Sequence, residues 1–153
     1  MVTDRNLHTF FMPEQVPIQY KEKPWGREIW FANTAGYAGK ILEIKKGKRL
    51  SLQYHEKKTE TMYLLSGKIK MTLGENEDSL EEIIMNPGDK MDIFPHVIHR
   101  PEALEDSQIF EVSTDELEDI VRLADDYGRP DRGNDHDLDK KLSQEAQQAA
   151  KQQ

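Results

Sequence analysis

Gln53, His55 and Glu60 bring an amide oxygen, an imidazole and a carboxylate together in one short stretch. They stand in the pattern G-x5-Q-x-H-x4-E-x6-G, which runs from Gly47 to Gly67. On a β-strand, residues two apart point to the same face, so Gln53 and His55 project together when Leu52 and Tyr54 face the other way. Glu60 follows a short turn and opens the next strand, which can return its carboxylate to the same spot. A fourth ligand is available in His99, which follows a turn and a β-type run in Pro87–His99. Mixed nitrogen and oxygen donors suit zinc first, and manganese, nickel or iron(II) as well. Three or four protein ligands with open positions describe a catalytic site rather than a closed structural one.

The elements that must position these residues are short strands. β-type segments cover Glu28–Ala32, Gly39–Ile44, Ser51–Tyr54, Thr61–Leu65, Lys68–Leu73, Glu81–Met85, Lys90–Ile93, Ile98–Arg100 and Gln108–Val112. Lys68–Leu73 alternates polar and apolar residues, the mark of a half-buried strand. Turn signals separate them at Gly36, Gly47, Ser66-Gly67, Gly74-Glu75-Asn76 and Asn86-Pro87-Gly88-Asp89. Many short strands with Gly/Pro turns predict an all-β sandwich or barrel. Leu117, Ile120, Val121 and Leu123 have the spacing of one short helix over Asp115–Asp126. Residues 1–23 read as an arm or edge strand, 24–130 as the barrel with a C-terminal strap, and 131–153 as a flexible or helical tail.

The chain has 153 residues and a formal net charge of -8, enough length for one domain with a sizeable core. The acidic balance disfavours nucleic acid and anionic membranes as partners. No apolar run reaches membrane-spanning length, and the first residues lack a signal-peptide layout; a cytoplasmic protein is expected. Absence of cysteine excludes disulfides, thiolate nucleophiles and Cys-type zinc sites.

These residues carry a resemblance. The first segment resembles cupin motif one, usually G-x5-H-x-H-x4-E-x6-G, with Gln53 at the first His. Gly88 to His99 resembles motif two, usually G-x5-P-x-G-x2-H, with Phe94 in place of its Pro and His96 in place of its Gly. Lys23-Pro24-Trp25-Gly26, Arg49 to His55, Ile98-His99-Arg100, and Glu118 to Arg122 with Asp125 to Arg129 resemble the cupin domain of type II phosphomannose isomerases. In that family the domain is usually fused behind a mannose-1-phosphate guanylyltransferase domain. Departures are Lys58 for a usual Arg, and Thr61-Met62 for a usual His-Trp.

The resemblance implies a double-stranded β-helix, the jelly-roll-type cupin barrel, with a metal inside held by Gln53, His55, Glu60 and His99. It implies a sugar phosphate as the partner and interconversion of mannose 6-phosphate and fructose 6-phosphate as the reaction. Proton-carrier candidates are Lys58, His96 and Glu60; the plain alternative for Lys58 is a solvated turn lysine. Arg49, Arg100, Arg122 and Arg129 are the motif-linked cations for a phosphate, because a guanidinium binds it bidentately. A homodimer built on the N-terminal arm is expected by analogy with similar cupins.

Overall fold

The structure is a computed structural model that describes residues 17–153. Eleven strands and one helix follow in order among the described residues: β1 Gln19–Lys23, β2 Gly26–Thr34, β3 Tyr37–Ile44, β4 Leu52–Tyr54, β5 Glu60–Ser66, β6 Ile69–Gly74, β7 Glu81–Met85, β8 Lys90–Ile93, β9 Ile98–Ala103, β10 Ser107–Ser113, β11 Val121–Ala124 and α1 His136–Ala150. They form two antiparallel sheets, ordered β1-β2-β3-β10-β5-β8 and β11-β4-β9-β6-β7. This is the jelly-roll sandwich of the cupins.

The core is built where inward positions of the two sheets meet. Trp25, Leu42, Ile44, Met62, Leu64, Ile69, Met71, Ile93 and Ile109 are its fully buried apolar side chains. Each contributes about 1.5–3 kcal/mol by leaving water. Trp25 is thus a core aromatic. Its neighbour Gly26 has φ +152°, and a Cβ there would come within 1.8 Å of the Glu43 carbonyl oxygen. Only glycine lets β2 start this close to β3.

One assignment differs from the sequence reading. Asp115–Asp126 is not a helix but a strap of tight turns that ends in β11, an edge strand paired with β4. Its apolar spacing is overridden by hydrogen bonds to the barrel, described below. The helix lies instead at His136–Ala150, capped by the Asp135 side chain accepting from Leu138 N. Of the alternatives for residues 131–153, then, a docked helix is the one adopted. It packs along β1, and its fully buried residues are Asp139 and Ser143. β1 is the edge of the larger sheet; the arm before residue 17 lies outside the described residues. No helix among the described residues is long and apolar enough to cross a membrane.

Candidate metal centre and charged cavity

β4 and β9 run side by side with Gln53 opposite His99, while β5 opens at Glu60 on the facing sheet. These elements bring His55, Glu60 and His99 together in the barrel interior, with one donor atom of each within 4.8 Å of the others. All three side chains are fully buried. His55 Nε2 is 3.2 Å, and His99 Nε2 3.1 Å, from the same Glu60 oxygen, Oε1.

The protonation pattern follows from the outer partners. The Nδ1 of His55 lies against the Asp119 carbonyl oxygen, and that of His99 is 2.9 Å from the Val97 carbonyl oxygen. A carbonyl only accepts, so each Nδ1 carries the proton and each Nε2 presents a lone pair. Burial lowers the His55 pKa below its ordinary value, which keeps the ring neutral. Burial alone would raise the Glu60 carboxyl, but the Lys58 ammonium together with the His55 and His99 rings overrides it and holds it well below its ordinary value. With the neutral rings held through Nδ1, the two Nε2 atoms and the Glu60 carboxylate converge on one point. His99 Nε2 is left without a hydrogen-bond partner. Such an arrangement is unfavourable until a cation enters it. The donor set fits a divalent metal, with each imidazole oriented through its other nitrogen.

Gln53, the fourth expected ligand, is buried beside this group, and its Oε1 accepts from Ser51 Oγ at 2.6 Å. It also lines a small cavity of about 30 Å3 that runs into the barrel, together with Lys58, Glu111, Lys40, Glu28 and Lys23.

Asp119 was not singled out in the sequence, yet it organises the first wall of the site. Its carboxylate accepts from the backbone N–H of Glu56 at 3.0 Å, Lys57 at 2.7 Å and Lys58 at 2.9 Å. Burial works against its ionised form, and the three N–H groups more than offset this, leaving its pKa below the ordinary value. The same residue's carbonyl fixes the His55 tautomer. The turn that carries Lys58 and the ring that presents Nε2 thus share one support.

Lys58 is not a solvated turn lysine. It is 3% exposed, with Nζ 2.6 Å from Glu60 Oε2 and 3.5 Å from Glu111 Oε1. Burial would discharge it, but Glu111 and Glu60 raise its pKa and hold the ammonium charged. Glu111, also missed in the sequence, projects inward from β10 opposite Lys40 of β3. Burial, and then the nearby Glu60 charge, raise its carboxyl pKa. Glu28 shows the opposite outcome: burial is overcome by Lys40 and Lys23, which lower it to about 2.

The other sequence candidates divide. Arg49 and Arg100 are not at the cavity. Arg49 makes a bidentate pair with Asp126, Nε–Oδ2 2.7 Å and Nη2–Oδ1 2.9 Å. Arg100 donates to the Leu50 and Ala124 carbonyls, both at 2.9 Å. Both clamp the strap to the barrel, as does Tyr127, whose hydroxyl donates to the Arg49 carbonyl. Arg122 and Arg129 do line the cavity. His96 is exposed at the turn before β9, with its ring 5.9 Å from that of Tyr54. Its φ of 69° lies in the left-handed region, where the glycine of the usual motif would be at ease.

Comparison with known proteins agrees with this architecture. KdgF from Halomonas sp. superimposes with a TM-score of 0.57 at 22% identity, over 71% of this chain and 94% of that one. Oxalate decarboxylase from Bacillus subtilis gives a TM-score of 0.60 at 16% identity, over 69% of this chain and 30% of that one. The capsular polysaccharide assembling protein CapF from Staphylococcus aureus gives 0.56 at 20% identity, over 75% of this chain and 33% of that one. The chain spans about a third of the latter two. At these identities the likeness shows the fold alone. No curated protein matches the sequence. The family described as "Mannose-6-phosphate isomerase C-terminal" matches residues 14–125, a span that holds the barrel, the converging His55, Glu60 and His99, and Asp119. The chain therefore belongs to the mannose-6-phosphate isomerase C-terminal family of cupin domains.

Proposed function

We propose that this protein is a metal-dependent sugar-phosphate isomerase that interconverts mannose 6-phosphate and fructose 6-phosphate. The observation that carries the reading is the buried convergence of the His55 and His99 imidazoles and the Glu60 carboxylate beside a cavity lined by five cations and the carboxylates of Glu28 and Glu111. Family membership narrows it to this substrate class.

His55, Glu60 and His99, with Gln53 beside them, would hold a divalent metal, for which zinc suits the donor set. The metal would polarise the sugar's carbonyl and hydroxyl oxygens as a Lewis acid, worth several kcal/mol of barrier. The remaining work falls to the chain. Aldose–ketose isomerisation moves a proton between neighbouring carbons, so a general base must take it from one and return it to the other. Glu111 suits this role better than the candidates read from the sequence. It faces the cavity, and its raised pKa brings it closer to the working pH, where general acid/base groups act best. Lys58 is held charged and is better suited to stabilise negative charge than to accept a proton. Glu60 is committed to the metal, and His96 stands outside the barrel.

Metal analysis joined to a coupled assay for fructose 6-phosphate tests this reading. About one bound metal per chain with turnover of mannose 6-phosphate is expected. Bound metal with no turnover of any hexose phosphate would sink the isomerase reading. It would favour another metal-dependent cupin activity on a small polar substrate, a reading supported by the unlike names among the structures of similar fold. Absence of metal, with no rescue by added zinc or manganese, would leave a non-catalytic sugar-binding cupin.

A further inference from the structure

The cavity beside the metal ligands is about 30 Å3, whereas small-molecule sites run to roughly 300–1,000 Å3. A hexose phosphate cannot enter unless a wall moves. Most of the walls are barrel strands. Turns and the strap supply Trp25, Leu50, Lys58 and Ile120, while Arg129 and Asn134 belong to the segment leading into α1, which lies beyond the family match that ends at residue 125.

α1 is attached in an unusual way. Its fully buried residues are polar, Asp139 and Ser143, while its apolar residues Leu138, Leu142 and Ala146 are only half-buried, so its hold on the barrel is shared between partial apolar burial and these polar contacts. Asp139, 1% exposed, places Oδ2 at 2.6 Å from Lys23 Nζ and Oδ1 at 3.4 Å from Arg129 Nη1. Lys23 and Arg129 are themselves buried, and both line the cavity. Toward its C-terminal end the helix borders an open groove of about 1,000 Å3, lined by Ala146, Gln147, Ala150 and Lys151 on its side. This groove is distant from the metal ligands and marks where the helix is undercut. α1 is thus fastened near its start by one carboxylate between two cations, with Ser143 buried one turn on; Arg129 keeps its Nε and Nη2 on Asp125, at 3.1 and 2.8 Å, and offers Nη1 to Asp139.

We propose that Lys23 and Arg129 form a phosphate subsite at the outer wall of the cavity, and that Asp139 fills it from within as a competing anion. The two carboxylate oxygens of Asp139 stand in for two oxygens of a phosphate monoester. Binding of the ester releases α1, and its release makes room for the sugar. This inference rests on the sugar-phosphate reading of the site but names residues and a movement that reading does not require.

Hydrogen exchange of the full-length protein, followed by mass spectrometry during titration with inorganic phosphate, tests it. Phosphate is expected to speed exchange across 136–150 in a saturable way. Mannose, or potassium chloride at matched ionic strength, should leave exchange unchanged. Asp139→Asn should lower the half-saturating phosphate concentration about tenfold, the equivalent of about 1.4 kcal/mol, and Lys23→Gln should abolish the response. Protection of α1 by phosphate, unchanged exchange, or an unchanged midpoint in Asp139→Asn would overturn the proposal. If either variant fails to fold, the wild-type titration alone decides. Phosphate-driven release without turnover of mannose 6-phosphate would keep the subsite and remove the isomerase. Turnover with an unchanged KM in Lys23→Gln would do the reverse.

Discussion

The two ends of the interior solve the problem of buried charge in opposite ways. At the metal end, His55, Glu60 and His99 gather lone pairs around a point that the chain itself does not fill. At the helix end, Lys23 and Arg129 gather positive charge, and the chain supplies the counter-ions through Asp139 and Asp125. Between them, Lys58 links Glu60 to Glu111, and on the helix side Glu28 lies 3.4 Å from Lys40 and 4.0 Å from Lys23. Buried ions cost several kcal/mol each unless paired. One end is therefore complete without a ligand, and the other is built to take a cation.

The sharpest way to break this contrast is at the metal end. His55→Ala should abolish metal binding while leaving the barrel folded; elemental analysis with circular dichroism reads both, and unchanged stoichiometry would show the ligand assignment to be wrong. Glu111→Gln should leave metal content intact and lower kcat by about 10²–10⁴-fold. A normal rate in that variant would move the proton carrier elsewhere. Asp119→Ala strips three backbone N–H groups of their acceptor. It should weaken metal affinity by about 10–100-fold and cost about 1–3 kcal/mol in a denaturation curve; wild-type values for both would show that the turn stands without it.

Acid should separate the two ends. His55 has a folded pKa below its ordinary 6.5. Its contribution is full above 6.5 and is lost as pH falls from there through the folded value, as protons favour the unfolded chain and compete with metal. Glu28 is depressed from 4.5 to about 2, so its contribution is full above 4.5 and is lost only as pH falls toward 2. Metal release should therefore precede loss of the Glu28 contribution in a pH titration read by metal content and melting temperature. Simultaneous loss would join the two ends into one unit. The smallest effect is expected at the mouth. His96→Gly relieves a left-handed residue worth about 1 kcal/mol, raising Tm by roughly 2–4 °C without changing metal content; a fall in Tm would mean that the His96 ring contributes more than its backbone costs.

The strands around the ligands were legible because turns and alternation are local signals. Glu81–Met85 and Lys90–Ile93 fall where the sequence places them, and most others differ only at their ends. What alternation cannot give is which side faces in. On β10, Phe110 and Val112 face solvent while Ile109 and Glu111 are buried, so nothing in the local pattern marked Glu111, the proposed proton carrier, as facing inward. The strap failed as a helix for a related reason: Asp119 bonds to amides more than sixty positions away, and no local pattern records that. Arg49 and Arg100 have the chemistry of phosphate ligands, but the strap consumes their donors.

Asp119 also sets an order of assembly. It follows His55 by 64 positions, so during synthesis His55, Glu60 and His99 all leave the ribosome before the residue that orients the His55 ring. Contacts so distant in the chain form late. Nascent chains whose residue 119 has not yet left the ribosome are expected to exchange metal freely, and released full-length chains to retain it. The timing of translation, rather than the ligands alone, would then decide which of the cell's metals the domain keeps.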